Sequence, residues 1–176
     1  MLAFDAYYRD LSHLGFEQRR IQNFDHPDSL DHELFARHLD TLRGGEPVDV
    51  PEYDFTTQTH TGRSTPVQPR RLVLVEGILL FAFAEIVERM GYSVFLDIPE
   101  GLRLQRRVER DVAERGRDPD DVRRQFAETV APMHDEHVQP HRHRADRVIR
   151  AGEPYGRVAV EIVARLAPAV PAHQPG

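Results

Sequence analysis

Two carboxylates follow apolar runs at distant points of the sequence and are candidates for acid–base and metal chemistry. Asp5 follows the apolar start of "LAFDAYYRD", and Glu76 follows the apolar run in "RLVLVEG". Because ligands of parallel α/β sheets collect at the carboxyl ends of strands, two acids there can divide the work. One can accept a hydroxyl proton while the other holds Mg²⁺. Each acid taken alone can equally be an ordinary strand-end residue.

Arginines are concentrated between residues 103 and 117, where six arginines accompany three acids: Glu109, Asp111 and Glu114. A buried helical stripe is predicted by apolar residues that recur every four positions: Leu104, Val108 and Val112. Another face carries Arg103, Arg107 and Arg110. Guanidinium groups suit phosphate oxygens, and Gly116 between Arg115 and Arg117 favours a mobile phosphate-binding loop. The alternative is a solvated face of i,i+4 ion pairs.

The segment "NFDHPDSLD", residues 23–31, contains more acids than a helix start requires. Pro27 suits a first helical turn, and an Asp or Ser beside it can cap the free backbone N–H groups. Apolar residues at helical spacing then predict a helix over 28–43, which Gly44-Gly45 ends. Capping uses only one or two of the acids, so local rules leave Phe24 and His26 unexplained.

The segment "HDEHVQPHRH" contains a cluster of histidines that is a candidate metal site: His134, His137, His141 and His143. A metal site needs ligands that converge on one point, and Pro140 interrupts any single helical face. A surface segment is the favoured interpretation over a metal site. His60, in a polar segment, is either incidental or a ligand contact.

Composition excludes several classes of chemistry. The 176 residues have a net charge of −6, which argues against general nucleic-acid binding, and they contain no cysteine. All 23 Lys and Arg residues are arginine, so no lysine is available for Schiff-base or P-loop chemistry. The sequence contains no GxxxxGK[ST], GxGxxG or GxSxG motif. No apolar run reaches membrane-span length and no signal-peptide pattern is present, which fits a cytoplasmic protein.

Apolar and amphipathic segments alternate and predict an α/β fold with a mostly parallel sheet. Strands are predicted in "LAFD", "RLVLVEG", "YSVFLDIP" and "ADRVIRAG". Helices are predicted at 28–43, 80–90, 100–114, 119–130 and 154–167. Between them, "GEPVDVPEYDF" indicates short edge strands or a loop, and "TTQTHTGRSTP" indicates an exposed excursion. Residues 1–168 are predicted to form one domain, and the Pro- and Ala-rich residues 169–176 a disordered tail.

Six motifs follow one another between Phe4 and Asp146: "FDAYYRD", "NFDHPDSLD", "VPEYDF", "VLVEGIL", "RLQRRVERDVAERGRD" and "VAPMHDEHVQPHRHRAD". In order and spacing they resemble the uridine kinase (uridine–cytidine kinase) family. One motif alone is weak, whereas six in register are highly specific. The related phosphoribulokinases share the scaffold but typically lack the "NFDHPD" form, so they rank second.

The resemblance implies a three-layer P-loop kinase fold that transfers the γ-phosphate of ATP or GTP to the 5′-hydroxyl of uridine or cytidine with Mg²⁺. Asp5 matches the catalytic base, and Glu76 matches the acid near Mg²⁺, with Asp5 as a second candidate ligand. Positions that match the nucleoside pocket are Tyr8, Asp25, Tyr53, Phe55, Gln58, Arg107 and Gln125. Among these, Asp25 matches the ribose-binding carboxylate and Arg107 its partner. The arginines near the phosphates match Arg110, Arg115 and Arg117.

The sequence departs from the family pattern at two places. The family often has a histidine that reaches the pyrimidine after "YDF", whereas Gln58 holds that position here and His60 lies two residues further on. The family's first strand, Walker A loop and first helix precede the DxYY motif, and none of them is found in these residues. We expect them to be encoded upstream of Met1. Without them, we expect poor ATP positioning and unpaired strand edges.

Three hypotheses remain open. The first is a nucleoside kinase whose Walker A segment precedes this sequence. The second is a non-catalytic nucleoside-binding pseudokinase. The third is an arginine-rich anion or nucleic-acid binder. The first and favoured hypothesis implies a nucleoside substrate, no nucleic acid or membrane partner, and an assembly that can be a homo-oligomer, as is common in the family.

Overall fold

Strands and helices alternate along residues 1–166, the part of the chain that the computed structural model describes. The strands are β1 Leu2–Ala3, β2 Val48–Asp54, β3 Thr59–Val67, β4 Val75–Glu76, β5 Val94–Asp97 and β6 Arg147–Arg150. The helices are α1 Phe16–Arg20, α2 His32–Arg43, α3 Ala84–Val87, α4 Glu100–Arg115, α5 Pro119–Gln125, α6 Ala131–His137 and α7 Tyr155–Leu166. The tail predicted at 169–176 lies outside the described residues.

Parallel strand pairs confirm the predicted α/β class. β1 pairs with β4, with Leu2 opposite Val75 and Ala3 opposite Glu76, and β5 pairs with β6 in the same parallel sense. A third pair is antiparallel, because β2 and β3 form a hairpin. Of the two alternatives predicted for "GEPVDVPEYDF", short edge strands or a loop, β2 confirms the first. The segment "TTQTHTGRSTP" is largely exposed, as predicted, but the prediction missed that it contains β3. A hairpin strand that has one face in solvent can consist mostly of polar residues, so its sequence lacks the apolar pattern by which strands are predicted.

The apolar segment before Glu76 is less buried than its sequence predicted. Only Val75–Glu76 forms a strand, and Leu72 and Leu74 are 59% and 61% exposed. Within residues 1–166, β4 pairs only with β1 and β5 pairs only with β6. Residues of β4 and β5 line one cleft of about 550 Å³. Both parallel pairs therefore contribute residues to one shared cleft. The apolar run that leads into β4 remains partly exposed to solvent.

The helices begin and end near the predicted positions, with local exceptions. Residues 27–29 form a short 3₁₀ turn, and α2 begins four residues later than predicted because Asp31 caps it by accepting the Leu34 N–H at 2.9 Å. The helix predicted at 80–90 is a 3₁₀ turn followed by the short α3. The helix predicted at 119–130 is α5 continued by a π-helical segment, Phe126–Val130, which leads into α6.

Aromatic side chains form the centre of the hydrophobic core. Phe4, Tyr7 and Phe35 are fully buried, and the Phe4 ring lies 4.6 Å from that of Phe35 and 5.7 Å from that of Phe83. The core includes residues from Leu2 to Val138 and so joins β1, α2, the 80–87 segment and β5. It holds the segment that carries Asp5 in place. No helix in the described part of the chain is long and apolar enough to span a membrane.

We predict that Gly77→Ala destabilises the protein by about 1–3 kcal/mol. A Cβ at this position would lie 2.6 Å from Cβ of the fully buried Phe4, so the strand that carries Glu76 must move away from β1. Gly101→Ala is the matched control, since a Cβ there meets no atom within 4 Å. Urea unfolding measures both variants, and equal midpoints for the two would contradict the prediction.

Candidate functional site

Strand register brings the two predicted carboxylates together. Ala3 pairs with Glu76, and Asp5 follows two residues later in the 3₁₀ turn Phe4–Tyr7. This turn is tied to the segment that bears Asp25, because Asp31 N–H donates to the Tyr7 carbonyl at 2.7 Å. The charges of Asp25 and Glu76 both interact with Asp5. Three acids that are far apart in sequence therefore share one site.

Burial makes these acids reluctant to ionise. It raises the pKa of Asp5 and of Asp25 above the ordinary value, and nearby arginines only partly offset that increase. The pKa of Glu76 is raised by burial and by the charge of Asp5. Among residues 1–166, no hydrogen bond is formed to any of the three carboxylates, so their oxygens are free to accept bonds from a ligand.

Aromatic rings line the side of the site next to Asp5. The Tyr8 ring lies 5.1 Å from Tyr53 and 6.4 Å from Phe55, and Tyr53 lies 5.2 Å from Phe55. The hairpin of β2 and β3 contributes two of these rings, and the turn after β1 contributes the third. We call these three residues the aromatic cluster. Burial raises the pKa of Tyr53 to about 12, so its hydroxyl stays neutral.

His60, rather than Gln58, contacts the aromatic cluster. Its ring lies 5.7 Å from that of Tyr53, and its Nε2 lies 2.6 Å from the carbonyl oxygen of Tyr8. Gln58 has a left-handed φ of 56° in the hairpin turn, and its Oε1 is buried without a hydrogen-bond partner among the described residues. Gln58, which was predicted to reach the base, and His60, which was left open, thus lie near the same end of the hairpin, and the Gln58 oxygen remains available as an acceptor.

The segment before α2 orients Asp25 by packing both of its neighbours. Phe24 lies edge-on to Tyr8 at 5.5 Å, and His26 lies edge-on to His137 at 4.8 Å. His26 Nδ1 also accepts the backbone N–H of Asp28. These contacts account for Phe24 and His26, which local rules leave unexplained, because contacts with residues so distant in sequence leave no local pattern.

Arginines from α4 and from the turn after it also contribute to this site. Arg107 donates to Oε1 of Gln125 at 3.4 Å, and Arg117 donates to the same oxygen at 2.8 Å. Arg110 and Arg115 act electrostatically on Asp5, and Arg115 lies 5.3 Å above the Phe55 ring. One network therefore joins five residues predicted from the sequence, through Gln125 and through the carboxylate of Asp111. They are Arg107, Arg110, Arg115, Arg117 and Gln125.

In the sequence alone, Asp111 is one of three acids among the six arginines of residues 103–117 and is not distinguished from the other two. It is fully buried, and Arg107, Arg110, Arg115 and Arg117 all lie within 4 Å of its carboxylate. A signal was present, because Arg107 and Arg115 are four residues before and after it and so share its helix face. We call these four arginines with Asp111 the arginine cluster.

The histidines predicted as a cluster do not converge. His137 packs on His26, His134 lines the cleft, and His143 interacts with the carbonyl of Pro140. No group of three or more potential ligands suited to a metal ion is found among residues 1–166. The side chains of His134 and His137 are only 16% and 18% exposed, so the prediction of a surface segment was wrong for these two. Both lie on α6, which packs beside the cleft.

The acids fit a hard cation in chemistry, although they supply few ligands. Mg²⁺ prefers carboxylate oxygens and usually keeps several waters or substrate phosphates, so one or two protein ligands are enough. Asp5 and Glu76 interact with each other electrostatically and have no competing hydrogen bond within the described chain. They therefore fit Mg²⁺ as a pair.

We predict that Asp5→Asn stabilises the fold at neutral pH. The pKa of Asp5 is higher in the folded chain than its ordinary value of 3.8, so the charged carboxylate costs stability at pH 7. That cost disappears as the pH falls through the folded pKa, because the native state then binds the proton. The difference in melting temperature between the variant and wild type should therefore be positive at pH 7 and shrink toward pH 4.

Asp10→Asn is the matched control for this pH series. Hydrogen bonds from Ser12 and Thr59 lower the pKa of Asp10 to about 2, so its charge stabilises the fold at pH 7 and the variant should melt lower. Its loss should also shrink as the pH falls toward 2. An Asp5→Asn variant that melts lower than wild type at pH 7 would contradict the assignment of a buried, destabilising charge.

Comparison with known proteins decides the family. The model of the phosphoribulokinase/uridine kinase family matches residues 1–155. A uridine kinase of Shewanella piezotolerans is 41% identical over 163 residues, which cover 93% of this chain and 76% of the relative. A uridine kinase of Vibrio cholerae is 42% identical over 159 residues, covering 90% of this chain and 74% of the relative. The chain belongs to the phosphoribulokinase/uridine kinase family.

A solved structure supports the fold of this family member. It is a protein from Silicibacter assigned as a fructose transport system kinase, with a TM-score of 0.59 and 20% identity, and the match covers 84% of this chain and 73% of that one. Similarity at this level concerns the fold alone. It confirms the predicted kinase-like α/β fold, and the sequence matches confirm the resemblance found in the six motifs.

Proposed function

We propose that this family member binds uridine or cytidine and forms the acceptor side of a nucleoside kinase. The observation that carries the proposal is the position of the aromatic cluster: its Tyr8 interacts with the charges of Asp5 and Asp25, and its Phe55 lies 5.3 Å from the Arg115 guanidinium of the arginine cluster. Aromatic faces can pack on a base, whereas the partly buried acids can accept hydrogen bonds from sugar hydroxyls. A sugar phosphate would use no aromatic wall, which places the phosphoribulokinase alternative second.

Each acid has a separate proposed role. Asp25 accepts hydrogen bonds from the ribose 2′- and 3′-hydroxyls, and Arg107 keeps its charge balanced, since their charges interact. Asp5 accepts the proton of the 5′-hydroxyl as that oxygen attacks the γ-phosphate. Its raised pKa makes it a better proton acceptor than an ordinary aspartate. Gln58 or His60 is proposed to hydrogen-bond the base edge.

The phosphate side of the reaction is proposed to use the arginine cluster. Arg110 and Arg115 act electrostatically on Asp5, Arg117 joins them at Asp111, and their guanidinium groups can bind phosphate oxygens. Asp5 and Glu76 would hold Mg²⁺, which supplies charge neutralisation between the phosphates when bound. The donor is proposed to be ATP or GTP.

A nucleoside-binding pseudokinase is the second candidate, and a specific observation favours it. These 176 residues contain neither a lysine nor a GxxxxGK[ST] motif, so they lack the backbone cradle that grips the β- and γ-phosphates. The 176-residue chain by itself is therefore proposed to bind nucleoside and to transfer phosphate poorly.

Calorimetry and a transfer assay test the proposal together. The 176-residue chain is titrated with uridine, cytidine, adenosine and ribulose 5-phosphate, and the product of the whole reading frame is assayed for nucleoside phosphorylation with ATP and GTP. Pyrimidine binding with turnover supports a nucleoside kinase. Pyrimidine binding without turnover by the whole product supports the pseudokinase. Tighter binding of ribulose 5-phosphate than of uridine would overturn both.

A further inference from the structure

Asp111 is the one charged side chain in residues 1–166 that is completely buried. Its Oδ1 accepts from Nε and Nη2 of Arg110 at 2.9 and 2.8 Å, and Nη1 of Arg115 lies 3.5 Å from the same oxygen. Its Oδ2 accepts from Nη1 of Arg117 at 3.4 Å and lies 3.8 Å from Nε of Arg107. A buried carboxylate is stable only when it is paired and hydrogen-bonded, and here four cations surround it.

The backbone of Asp111 also shapes the turn that follows α4. Its carbonyl oxygen accepts the N–H of Gly116 and, at 3.1 Å, the N–H of Arg117. Gly116 takes a left-handed φ of 61°, which is how a helix commonly ends and turns its chain back. Side chain and backbone of one residue thus direct Arg117 toward Arg107 and Arg110.

Every arginine that touches Asp111 also reaches the candidate site. Arg110 and Arg115 act on Asp5, Arg107 acts on Asp25, and Arg117 meets Arg107 at Gln125. Nε of Arg107 is buried and makes no hydrogen bond within the described residues, so its N–H group can still donate to a ligand. Asp111 itself has no contact with Asp5 or Asp25 among the interactions found in residues 1–166.

Four guanidinium groups repel one another, and the arrangement of the cluster needs a counter-charge at its centre. Asp111 supplies that charge from a fully buried position that does not line the cleft, whereas the arginines remain partly exposed. The side chains of Arg110, Arg115 and Arg117 are 45%, 36% and 33% exposed, consistent with faces that remain open to a ligand.

We propose that Asp111 is the positioning residue of the arginine cluster, which it holds converged so that the cluster binds a polyphosphate opposite Asp5. This role rests on the proposed phosphate-binding function of those arginines. Asp111 would lower the net positive charge of the cluster and still increase its affinity for phosphate, because it fixes the geometry of four mobile side chains before the ligand arrives.

The sign of one affinity change tests the proposal. Binding of inorganic tripolyphosphate to the 176-residue chain is measured by calorimetry at fixed ionic strength for wild type, Asp111→Asn and Glu109→Gln. If Asp111 positions the arginines, Asp111→Asn weakens binding by about tenfold although it removes a negative charge. If Asp111 only subtracts charge or only supports the fold, the folded variant binds as tightly as wild type or more tightly, and the proposal is overturned.

Glu109→Gln is the matched control, because it removes one charge from an exposed position of the same helix. Within residues 1–166, the Glu109 side chain accepts a hydrogen bond from Gln105 alone. It should leave tripolyphosphate affinity unchanged or slightly increased. A weakening equal to that of Asp111→Asn would overturn the proposal, since it would then reflect helix charge in general.

Asp111→Glu keeps the test decisive if Asp111→Asn does not fold. It preserves the charge and displaces the carboxylate by one methylene, so a positioning role predicts weaker tripolyphosphate binding by the folded variant. Wild-type affinity in Asp111→Glu overturns the proposal. Uridine binding is measured on the same samples: absence of uridine binding in wild type counts against the proposed nucleoside function alone, because the tripolyphosphate comparison does not depend on it.

Discussion

Asp5→Asn is expected to lower the turnover of uridine phosphorylation by about 10²- to 10⁴-fold and to leave uridine affinity nearly unchanged. Asparagine has the shape of aspartate but cannot accept the proton of the attacking 5′-hydroxyl. The pKa of Asp5 is raised by burial, so the wild-type carboxylate is a stronger base than an exposed aspartate would be. Single-turnover transfer from labelled ATP, measured on the product of the whole reading frame, gives the rate, and calorimetry gives the affinity.

Asp10→Asn is the control for this turnover experiment. Asp10 lies five residues from Asp5, and its exposed carboxylate is bonded to Ser12 and Thr59 on the surface. Its replacement changes charge equally and should leave turnover within about twofold of wild type. An Asp5→Asn enzyme that keeps more than a tenth of its turnover would remove Asp5 from the role of base.

Asp25→Ala is expected to weaken uridine binding by about 10- to 100-fold, because hydrogen bonds to a charged group contribute about 1.5–3 kcal/mol. The carboxylate is partly buried and has no hydrogen-bond partner within residues 1–166, so its bonds to the ribose are not already satisfied by the protein. The loss should depend on the sugar. Wild type should prefer uridine over 2′-deoxyuridine, and that preference should vanish in Asp25→Ala when both are measured by calorimetry.

Asp28→Ala is the matched control for the ribose contact. It removes an acid three residues away whose side chain is 94% exposed, and it should change the affinity for neither nucleoside. A preference for uridine over 2′-deoxyuridine that persists in Asp25→Ala would show that another residue reads the 2′-hydroxyl. Gln58, with its buried unpaired oxygen, would then be the next residue to test.

The periodicity of apolar residues predicted the bounds of helices and strands better than it predicted which of their residues are buried. The sixteen-residue α4 agrees with its prediction to within one residue, because helical spacing and the terminal Gly116 are both local signals. The buried stripe predicted on it was wrong, since Val112 is 41% exposed and the buried residue of this helix is Asp111. In the hairpin, β2 agrees with the predicted edge strands, whereas β3 was not predicted as a strand because its exposed residues carry no apolar pattern. The apolar segment before Glu76 was predicted to be buried, and its leucines are exposed because burial depends on what packs alongside.

The sequence by itself determined which residue types are present for chemistry, their order in six motifs, and the α/β class. It also excluded lysine and cysteine chemistry, because composition needs no coordinates. Only the tertiary structure placed Ala3 opposite Glu76, brought Asp25 beside Asp5, set His60 against Tyr53, and enclosed Asp111 within four arginines. The physical reason is that helix and strand signals act over a few residues, whereas burial and the meeting of charges depend on contacts between segments far apart in the chain.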